Sequence, residues 1–178
     1  MPDVTQLLRD PQLDALVRVL VAGALAALIG VEREVEGKPA GIRTYGLVGM
    51  GAAMFTSGAI LVFGAGEPAS RVAAQIVTGI GFIGAGTILH LRSGVVGLTT
   101  AAGLWVAAAI GMVIGGGQYI LGIGSAVALL IVLYLLRPSR LERLGIKDDQ
   151  KSLNAGEGQP RGEGQPKDAK DEDSPTKS

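Results

Sequence analysis

The amino-acid sequence predicts an all-α, polytopic membrane protein with about five transmembrane helices. Hydrophobic residues make up 48% of the 178 residues and charged residues only 18%, which is a low charged fraction for a soluble domain. The chain contains 28 glycines, and glycine is more frequent in transmembrane helices than in soluble ones. Long apolar runs separate the charged residues, and these runs set the positions of the helices.

The first three helices follow from three runs that lack Asp, Glu, Lys and Arg. Residues 19–31 form a run of 13, which reaches spanning length only if residues 13–18 join it and the Arg18 guanidinium extends to the interface. Residues 44–66 form a run of 23 and residues 72–91 a run of 20, enough for one crossing each. We therefore predict spans near residues 14–32, 44–63 and 71–90.

The longest apolar run, residues 93–136, must fold back on itself. A single helix of these 44 residues would be roughly 66 Å long at about 1.5 Å per residue, against about 30 Å of hydrocarbon. The sequence GGGQY at residues 115–119 places three glycines and a glutamine before a tyrosine, which is typical of a turn at the interface. We therefore predict two further spans near residues 99–114 and 119–136.

The distribution of Lys and Arg predicts the orientation of the five spans. Eight basic residues lie in the loops at 33–43 and 91–98 and in the flank after residue 136, whereas the opposite side holds three. Because cytoplasmic loops carry an excess of Lys and Arg, we expect the N-terminus outside and the C-terminus in the cytoplasm. The first span is preceded by no basic signal-peptide region, so we expect it to be an uncleaved anchor.

Composition divides the chain into a transmembrane domain (residues 1–146) and a polar tail (residues 147–178). The tail carries eight acidic and six basic residues, has one leucine and no aromatic residue, and repeats GEGQP at 156–160 and 162–166. Such a segment cannot bury enough apolar area to offset its conformational entropy. We expect it to be disordered in the cytoplasm.

A glycine-rich motif, GIGFIG at residues 79–84, matches the G-x-G-x-x-G pattern of dinucleotide-binding loops. That interpretation is disfavoured, because such a loop follows a strand and has an acidic residue about 20 positions later, whereas the next one here is Glu142. In membranes, small residues let helix backbones approach closely.

Small residues recur on one face of the third predicted span, at Ala74, Thr78, Gly81 and Ala85. We therefore interpret the glycines as helix-packing residues. The glycines assigned this role are Gly79, Gly81, Gly84, Gly86, Gly111 and Gly115. The alternative is that they form a thin, bendable helix that lines a path for an ion or a partner.

Charged and hydroxyl-bearing residues are concentrated at helix ends that the predicted topology places at the cytoplasmic face. We expect Thr99 or Thr100 to cap the fourth helix, and Glu32 and Arg43 to pair across the first loop. The predicted functional cluster consists of Glu32, Arg33, Glu34, Arg43, Thr44, Thr99 and Thr100. The alternative is that these residues are only interfacial anchors and caps, since a charge at the bilayer centre costs about 2.5–3.5 kcal/mol on insertion scales.

Three long motifs occur in order along the chain. They are GVEREVEGKPAGIRTYGLVGMGAAMF at 30–55, QIVTGIGFIGAGTIL at 75–89 and GLTTAAGLWVAAAIGMVIGGGQY at 97–119. Together they closely resemble the MgtC/SapB family of bacterial membrane proteins. The resemblance implies a multi-pass inner-membrane protein linked to magnesium limitation, intracellular survival and modulation of other membrane machines such as the ATP synthase.

The virulence-associated MgtC branch of that family carries a folded cytoplasmic C-terminal domain. This chain has only the low-complexity tail at the corresponding place. The resemblance therefore implies a short form that lacks the folded domain.

Two functions from different classes stay open at the level of sequence. The first is a non-catalytic modulator of another membrane protein, such as the ATP synthase or a transporter, in magnesium homeostasis or stress adaptation. The second is a small Mg²⁺ or other ion or solute transporter that works as an oligomer. Glu32 and Glu36 are weak candidate Mg²⁺ ligands, because Mg²⁺ often uses one or two carboxylates, but interleaved Arg and Lys residues oppose a cation.

The residue inventory predicts that the protein is not an enzyme. It contains no cysteine and one histidine, and no nucleophile–base or metal-ligand constellation is visible in the sequence. We expect no catalytic residue and no resident cofactor. The expected partners are the lipid bilayer, another membrane protein and a second copy of the chain, and not nucleic acid.

The orientation can be tested with reporter fusions. A reporter fused after Lys147 is expected to be cytoplasmic and one inserted at Gly116 periplasmic, because one predicted span, residues 119–136, lies between the two sites. Alkaline phosphatase activity identifies a periplasmic site, and green fluorescent protein fluorescence identifies a cytoplasmic site. The same side for both insertions would contradict the five-span arrangement.

Overall fold

The computed structural model describes residues 10–91 and 94–137. Within these residues, five helices and a short β-hairpin follow one another along the chain. In chain order they are α1 (Pro11–Val35), α2 (Ile42–Phe63), α3 (Glu67–Ala85), β1 (Leu89–Leu91), β2 (Gly94–Val96), α4 (Leu98–Gly115) and α5 (Tyr119–Leu135). The tail at 147–178 lies outside the described residues, so its disorder stays a prediction.

Three of the helices are long and apolar enough to cross a membrane. These are α1 with 25 residues, α2 with 22 and α4 with 18. Helix α5 is apolar but has 17 residues, and α3 carries Glu67 and Arg71 near its start. Each of the five predicted spans thus corresponds to a helix, while the number of crossings and their orientation stay predictions.

The all-α prediction needs one correction, because the third predicted span does not continue to residue 90. Helix α3 ends at Ala85, and β1 then pairs with β2 in an antiparallel hairpin with Leu89 opposite Val96. At the end of the helix, the Gly84 carbonyl accepts hydrogen bonds from the Thr87 backbone N–H at 3.0 Å and from the Thr87 hydroxyl at 2.7 Å. Strand β2 begins at Gly94, whose φ is 140°, a conformation that favours glycine.

The predicted threonine cap of the fourth helix is also wrong. Gly97, and not Thr99 or Thr100, is the residue before α4, and its φ is 94°. A side chain at Gly97 would meet the backbone of Thr87, because the hairpin folds directly back over this position. Glycine therefore permits both the left-handed backbone and the close approach.

The core of the described chain is formed by α1, α2 and α4, which meet through small residues. A Cβ atom placed on Gly49 of α2 would lie 2.9 Å from the Ala22 carbonyl oxygen of α1. One placed on Gly115 of α4 would lie 2.8 Å from the Ala53 Cα of α2. The backbones are therefore close enough that even one additional carbon does not fit, which is the packing that small residues allow in lipid.

Polar contacts at one end of the bundle fix the register of α1, α2 and α4. The Gly115 carbonyl oxygen at the end of α4 accepts hydrogen bonds from Ser57 Oγ at 2.9 Å and from Arg18 Nη1 at 3.2 Å. Arg18 also pairs with Asp14 one turn earlier on α1. An otherwise free carbonyl at a helix end thus gains two partners.

The six glycines predicted to pack helices fall into two groups. Gly84, Gly111 and Gly115 lie against neighbouring helices, and a Cβ on Gly84 would lie 3.6 Å from the Ala101 Cβ. By contrast, a Cβ on Gly79 or Gly81 would meet no atom of the described chain within 4 Å, and one on Gly86 would meet only carbonyl oxygens of the preceding turn. The intrachain packing predicted for these three glycines is therefore not observed, because α3 buries only Ile80 and Gly84.

Substitution of Gly111 tests the close contact between α2 and α4. A Cβ at this position would lie 2.9 Å from the Ala52 Cβ, so Gly111→Leu overpacks the core and is expected to lower the free energy of unfolding by about 1–3 kcal/mol. The matched control is Gly124→Leu on α5, where a Cβ meets nothing within 4 Å. Unfolding of the purified protein in detergent measures both, and equal stability of the two variants would contradict this packing.

Candidate functional site

A group of charged side chains lies where α1 and α5 end and α2 and α4 begin. Sequence analysis predicted functional residues at three of these four helix ends, and the structure brings part of them together. The residues that meet there, named the helix-end cluster below, are Glu32, Arg33, Glu36, Tyr45, Thr100 and Arg137.

Two arginines and two glutamates form the charged part of the helix-end cluster. Arg33 is 4% exposed, and its Nε donates to Glu32 Oε2. Arg137 Nε lies 3.1 Å from Glu36 Oε1, and Arg137 Nη2 lies 3.5 Å from Glu32 Oε1. Arg137 thus joins the end of α5 to the last turn of α1, where Glu32 and Glu36 are neighbours on one helix face.

Some atoms of this charged group lie within ion-pair distance of an opposite charge but make no hydrogen bond of good geometry. Among the described residues, Glu32 Oε1 and Arg137 Nε have no hydrogen-bond partner, although each lies within ion-pair distance of an opposite charge. The Arg137 guanidinium also lies 5.6 Å from the centre of the Tyr134 ring, within the range of a cation–π contact. Removing one buried charge would leave the others without compensation.

Tyr45 extends the helix-end cluster towards α4, and sequence analysis did not single it out. Its side chain is fully buried, close enough to Arg33 and Glu32 to experience both charges. The hydroxyl donates to the Thr100 carbonyl oxygen at 3.4 Å, and Gly103 leaves space for the ring, since a Cβ there would lie 3.3 Å from Tyr45 Cζ. The signal in the sequence is an aromatic residue, Tyr45, in the first turn of a helix whose start carries the charged residue Arg43.

The remaining predicted site residues lie elsewhere. The Glu34 carboxylate accepts a hydrogen bond from the Ile42 backbone N–H at 3.0 Å and so caps the start of α2. Thr99 is exposed at the start of α4. Arg43 and Thr44 face a groove between α2 and α3.

The predicted pairing of Glu32 with Arg43 is wrong. Residues two apart on a helix point about 200° apart, so Tyr45 faces the bundle while Arg43 faces away from it. Glu32 pairs instead with Arg33 and Arg137.

The groove between α2 and α3 has a volume of about 1010 Å³ and is mostly apolar. Arg43 and Thr44 lie at one end, at the start of α2. Arg71 and Gln75, on the first half of α3, supply the polar groups of the other end. Ala108 of α4 contributes to the lining.

The two candidate Mg²⁺ ligands, Glu32 and Glu36, share the Arg137 guanidinium. A cation held by both carboxylates would have to displace this guanidinium, which together with Arg33 balances their two negative charges. In residues 10–91 and 94–137, no three His, Cys, Asp or Glu side chains are grouped closely enough to hold a metal ion.

The helix-end cluster lies in a segment that matches a known family over most of the described chain. The model of the MgtC family matches residues 19–141. The chain belongs to the MgtC family. The match includes most of α1 and all of α2 to α5, and with the apolar helices it makes this a membrane protein.

Several curated relatives in the MgtC family are similar to this chain. "Putative magnesium transporter YhiD" of Escherichia coli K12 is 49% identical over 125 residues, covering 66% of this chain and 58% of the relative. Protein MgtC of Salmonella typhimurium 14028s is 41% identical over 133 residues, covering 74% and 57%. Protein MgtC of Brucella abortus 2308 is 48% identical over 120 residues, covering 66% and 50%.

The similarity to these relatives covers only part of their length. The chain spans little more than half the length of the curated relatives it matches. No solved structure matches it. The similarity therefore applies to the membrane helices and the helix-end cluster.

Substitution of Arg33 tests whether the helix-end cluster is a coupled buried unit. Arg33→Met removes one partner of a buried pair and is expected to lower the free energy of unfolding by about 3–5 kcal/mol, because Glu32 loses a compensating charge. The double variant Glu32→Gln/Arg33→Met is expected to recover part of this loss. Unfolding of the purified variants in detergent measures both, and strictly additive effects would contradict the coupling.

Proposed function

We propose that this MgtC-family protein is a non-catalytic modulator that binds another protein in the bacterial inner membrane, in magnesium homeostasis or stress adaptation. Candidate partners are the ATP synthase or a transporter. The observation that carries the proposal is the outer face of α3, defined by Ala74, Thr78, Gly81 and Ala85, which no described part of the chain covers.

The outer face of α3 has the chemistry of a helix-docking surface. All four of its residues are small and exposed, and a Cβ on Gly81 would meet nothing within 4 Å. The Thr78 hydroxyl donates to the Ala74 carbonyl at 3.1 Å, so its polar group is already satisfied within the helix. Phe82, 85% exposed beside this face, provides a large apolar contact.

Membrane physics explains why such a face favours a helix over lipid. Lipid tails are as apolar as the helix surface, so helices associate through close packing between small residues and not through a hydrophobic effect. In α1, α2 and α4, the small residues are used in this way inside the protein. The same residue type on α3 is left open, which supports a partner from outside the chain.

The packing at the centre of the bundle also favours a protein-binding role over conduction of an ion through a single copy of the chain. Apolar side chains of α1, α2 and α4, such as Ile29, Leu104 and Ile110, fill this centre and are almost fully buried. A modulator needs such a rigid body, whereas a path for an ion needs polar groups along its length.

A small Mg²⁺ or other ion or solute transporter is the second candidate. One similar protein from Escherichia coli carries the words magnesium transporter in its name. The groove between α2 and α3 has polar groups at both ends and is open on one side, so a second copy would be needed to enclose it. Flux into liposomes that contain the purified protein and a Mg²⁺ indicator separates the candidates. We expect no flux above that of empty liposomes, and flux would favour the transporter.

Substitution of Gly81 tests the docking surface. Gly81→Leu adds a side chain where the described chain leaves space, so the fold is expected to stay intact while the partner helix is pushed away. We expect normal detergent stability but loss of growth complementation at low magnesium in a strain that lacks the protein.

The matched control for this experiment is Gly124→Leu, which adds the same side chain to an open position on α5. It is expected to complement growth as the unmodified protein does. If Gly81→Leu complements equally well, the outer face of α3 is not the contact surface.

A further inference from the structure

We propose that the groove between α2 and α3 binds an anionic phospholipid, with the headgroup phosphate at Arg43 and an acyl chain along the groove. This surface lies mostly on the side of α3 opposite to its outer face, and Ala74 is the one outer-face residue that also lines the groove. The groove is lined from the other side of that helix, by residues such as Val72, Ile76 and Ile83. The proposal therefore does not depend on the partner protein discussed above.

The dimensions of the groove fit one leaflet. Along α2 its lining runs from Arg43 to Phe55, and the 12 residue steps between them rise roughly 18 Å at about 1.5 Å per residue. Half of the hydrocarbon thickness of a bilayer is about 15 Å. A lipid with its headgroup level with Arg43 would thus place the end of its acyl chain near Phe55.

Two glycines provide the space that an acyl chain would occupy. Gly51 of α2 and Gly79 of α3 both line the groove, and a Cβ at either position would meet no described atom within 4 Å. The walls beside them are apolar, with Leu47, Val48 and Ile80. Dispersion contacts with these walls stabilise a chain that lies between them.

Charge indicates the headgroup. Among the described residues that line the groove, Arg43 and Arg71 are charged and none is acidic, and neither arginine has an ion-pair partner in the described chain. Arg43 is followed by Thr44, which also lines the groove and is a second hydrogen-bond donor at this end. A guanidinium binds a phosphate through charge-assisted hydrogen bonds.

The Arg43 end is preferred to the Arg71 end because of a nearby carboxylate. Glu67 lies one turn before Arg71 on α3, and the two residues line the same smaller cavity. Its negative charge opposes an anionic headgroup there. The Glu34 carboxylate near the start of α2 lines neither cavity and is held by the Ile42 backbone N–H.

A phospholipid matches both the basic end and the apolar walls of the groove more simply than a protein helix does. A helix in the groove would need an acidic residue at the level of Arg43 as well as an apolar surface. Anionic phospholipids combine both properties in one molecule and surround the protein already. Basic residues at the cytoplasmic interface are attracted to such lipids in general.

Native mass spectrometry of the full chain in detergent tests the proposal with phosphatidylglycerol and phosphatidylethanolamine of matched acyl chains. We expect phosphatidylglycerol to be retained preferentially. Arg43→Ala is expected to weaken its binding about tenfold, as loss of a charge-assisted hydrogen bond predicts, and Arg43→Lys less. Gly79→Leu is expected to fill the groove and reduce binding similarly, whereas Gly124→Leu is expected to bind as the unmodified protein does.

The variants also define the results that would overturn the proposal. Equal retention of both lipids would contradict an anionic headgroup site at Arg43, and unchanged phosphatidylglycerol binding in a folded Gly79→Leu protein would exclude a lipid in this groove. Since the chain has no cysteine, a single Gly79→Cys variant provides a further test. Disulfide-linked dimers of this variant in native membranes would show that a second copy, and not lipid, covers the groove. Reaction of the thiol with a lipid-soluble maleimide and no dimer is the expected result.

Discussion

Close backbone contact between α1, α2 and α4 is the constraint on which the rest of the structure depends. In lipid, apolar side chains gain little by leaving one apolar surface for another, so helices are held together by packing and polar contacts. Glycines at 49, 111 and 115 allow that packing, since a Cβ at any of them would overlap a neighbouring helix. The Gly115 carbonyl then adds the polar contacts with Ser57 and Arg18 that fix the helices lengthwise.

The helix-end cluster depends on the same close packing. Because α1, α2, α4 and α5 have their ends together, Arg33 can be buried beside Glu32 while Arg137 reaches across from α5. Buried ion pairs are weak contributors to stability when complete and costly when broken. The cluster therefore makes the relative position of α1 and α5 sensitive to any change in charge at this end of the bundle.

Helix α3 is positioned differently from its neighbours, and both proposed functions follow from this. It contacts α4 through Gly84 and buries Ile80, while most of its surface stays open. One open side carries small residues suited to another helix, and the side that faces α2 forms a groove with Arg43 at one end. Two partners of different chemistry would thus bind largely opposite sides of one helix, with Ala74 as the one residue common to both surfaces.

The sequence by itself determined the membrane class, the five helical segments and the family, because apolar runs, charge spacing and long motifs depend only on residue order. It did not determine the hairpin after Ala85, since the pairing of Leu89 with Val96 requires two strands of three residues to meet, and segments this short leave little periodicity in the sequence. Which glycines meet a neighbour, and which carboxylates Arg137 joins, was decided by the tertiary structure alone. Such contacts depend on how each helix is rotated about its own axis relative to its neighbours. The periodicity of the sequence shows which residues share a helix face, but not which neighbour that face contacts.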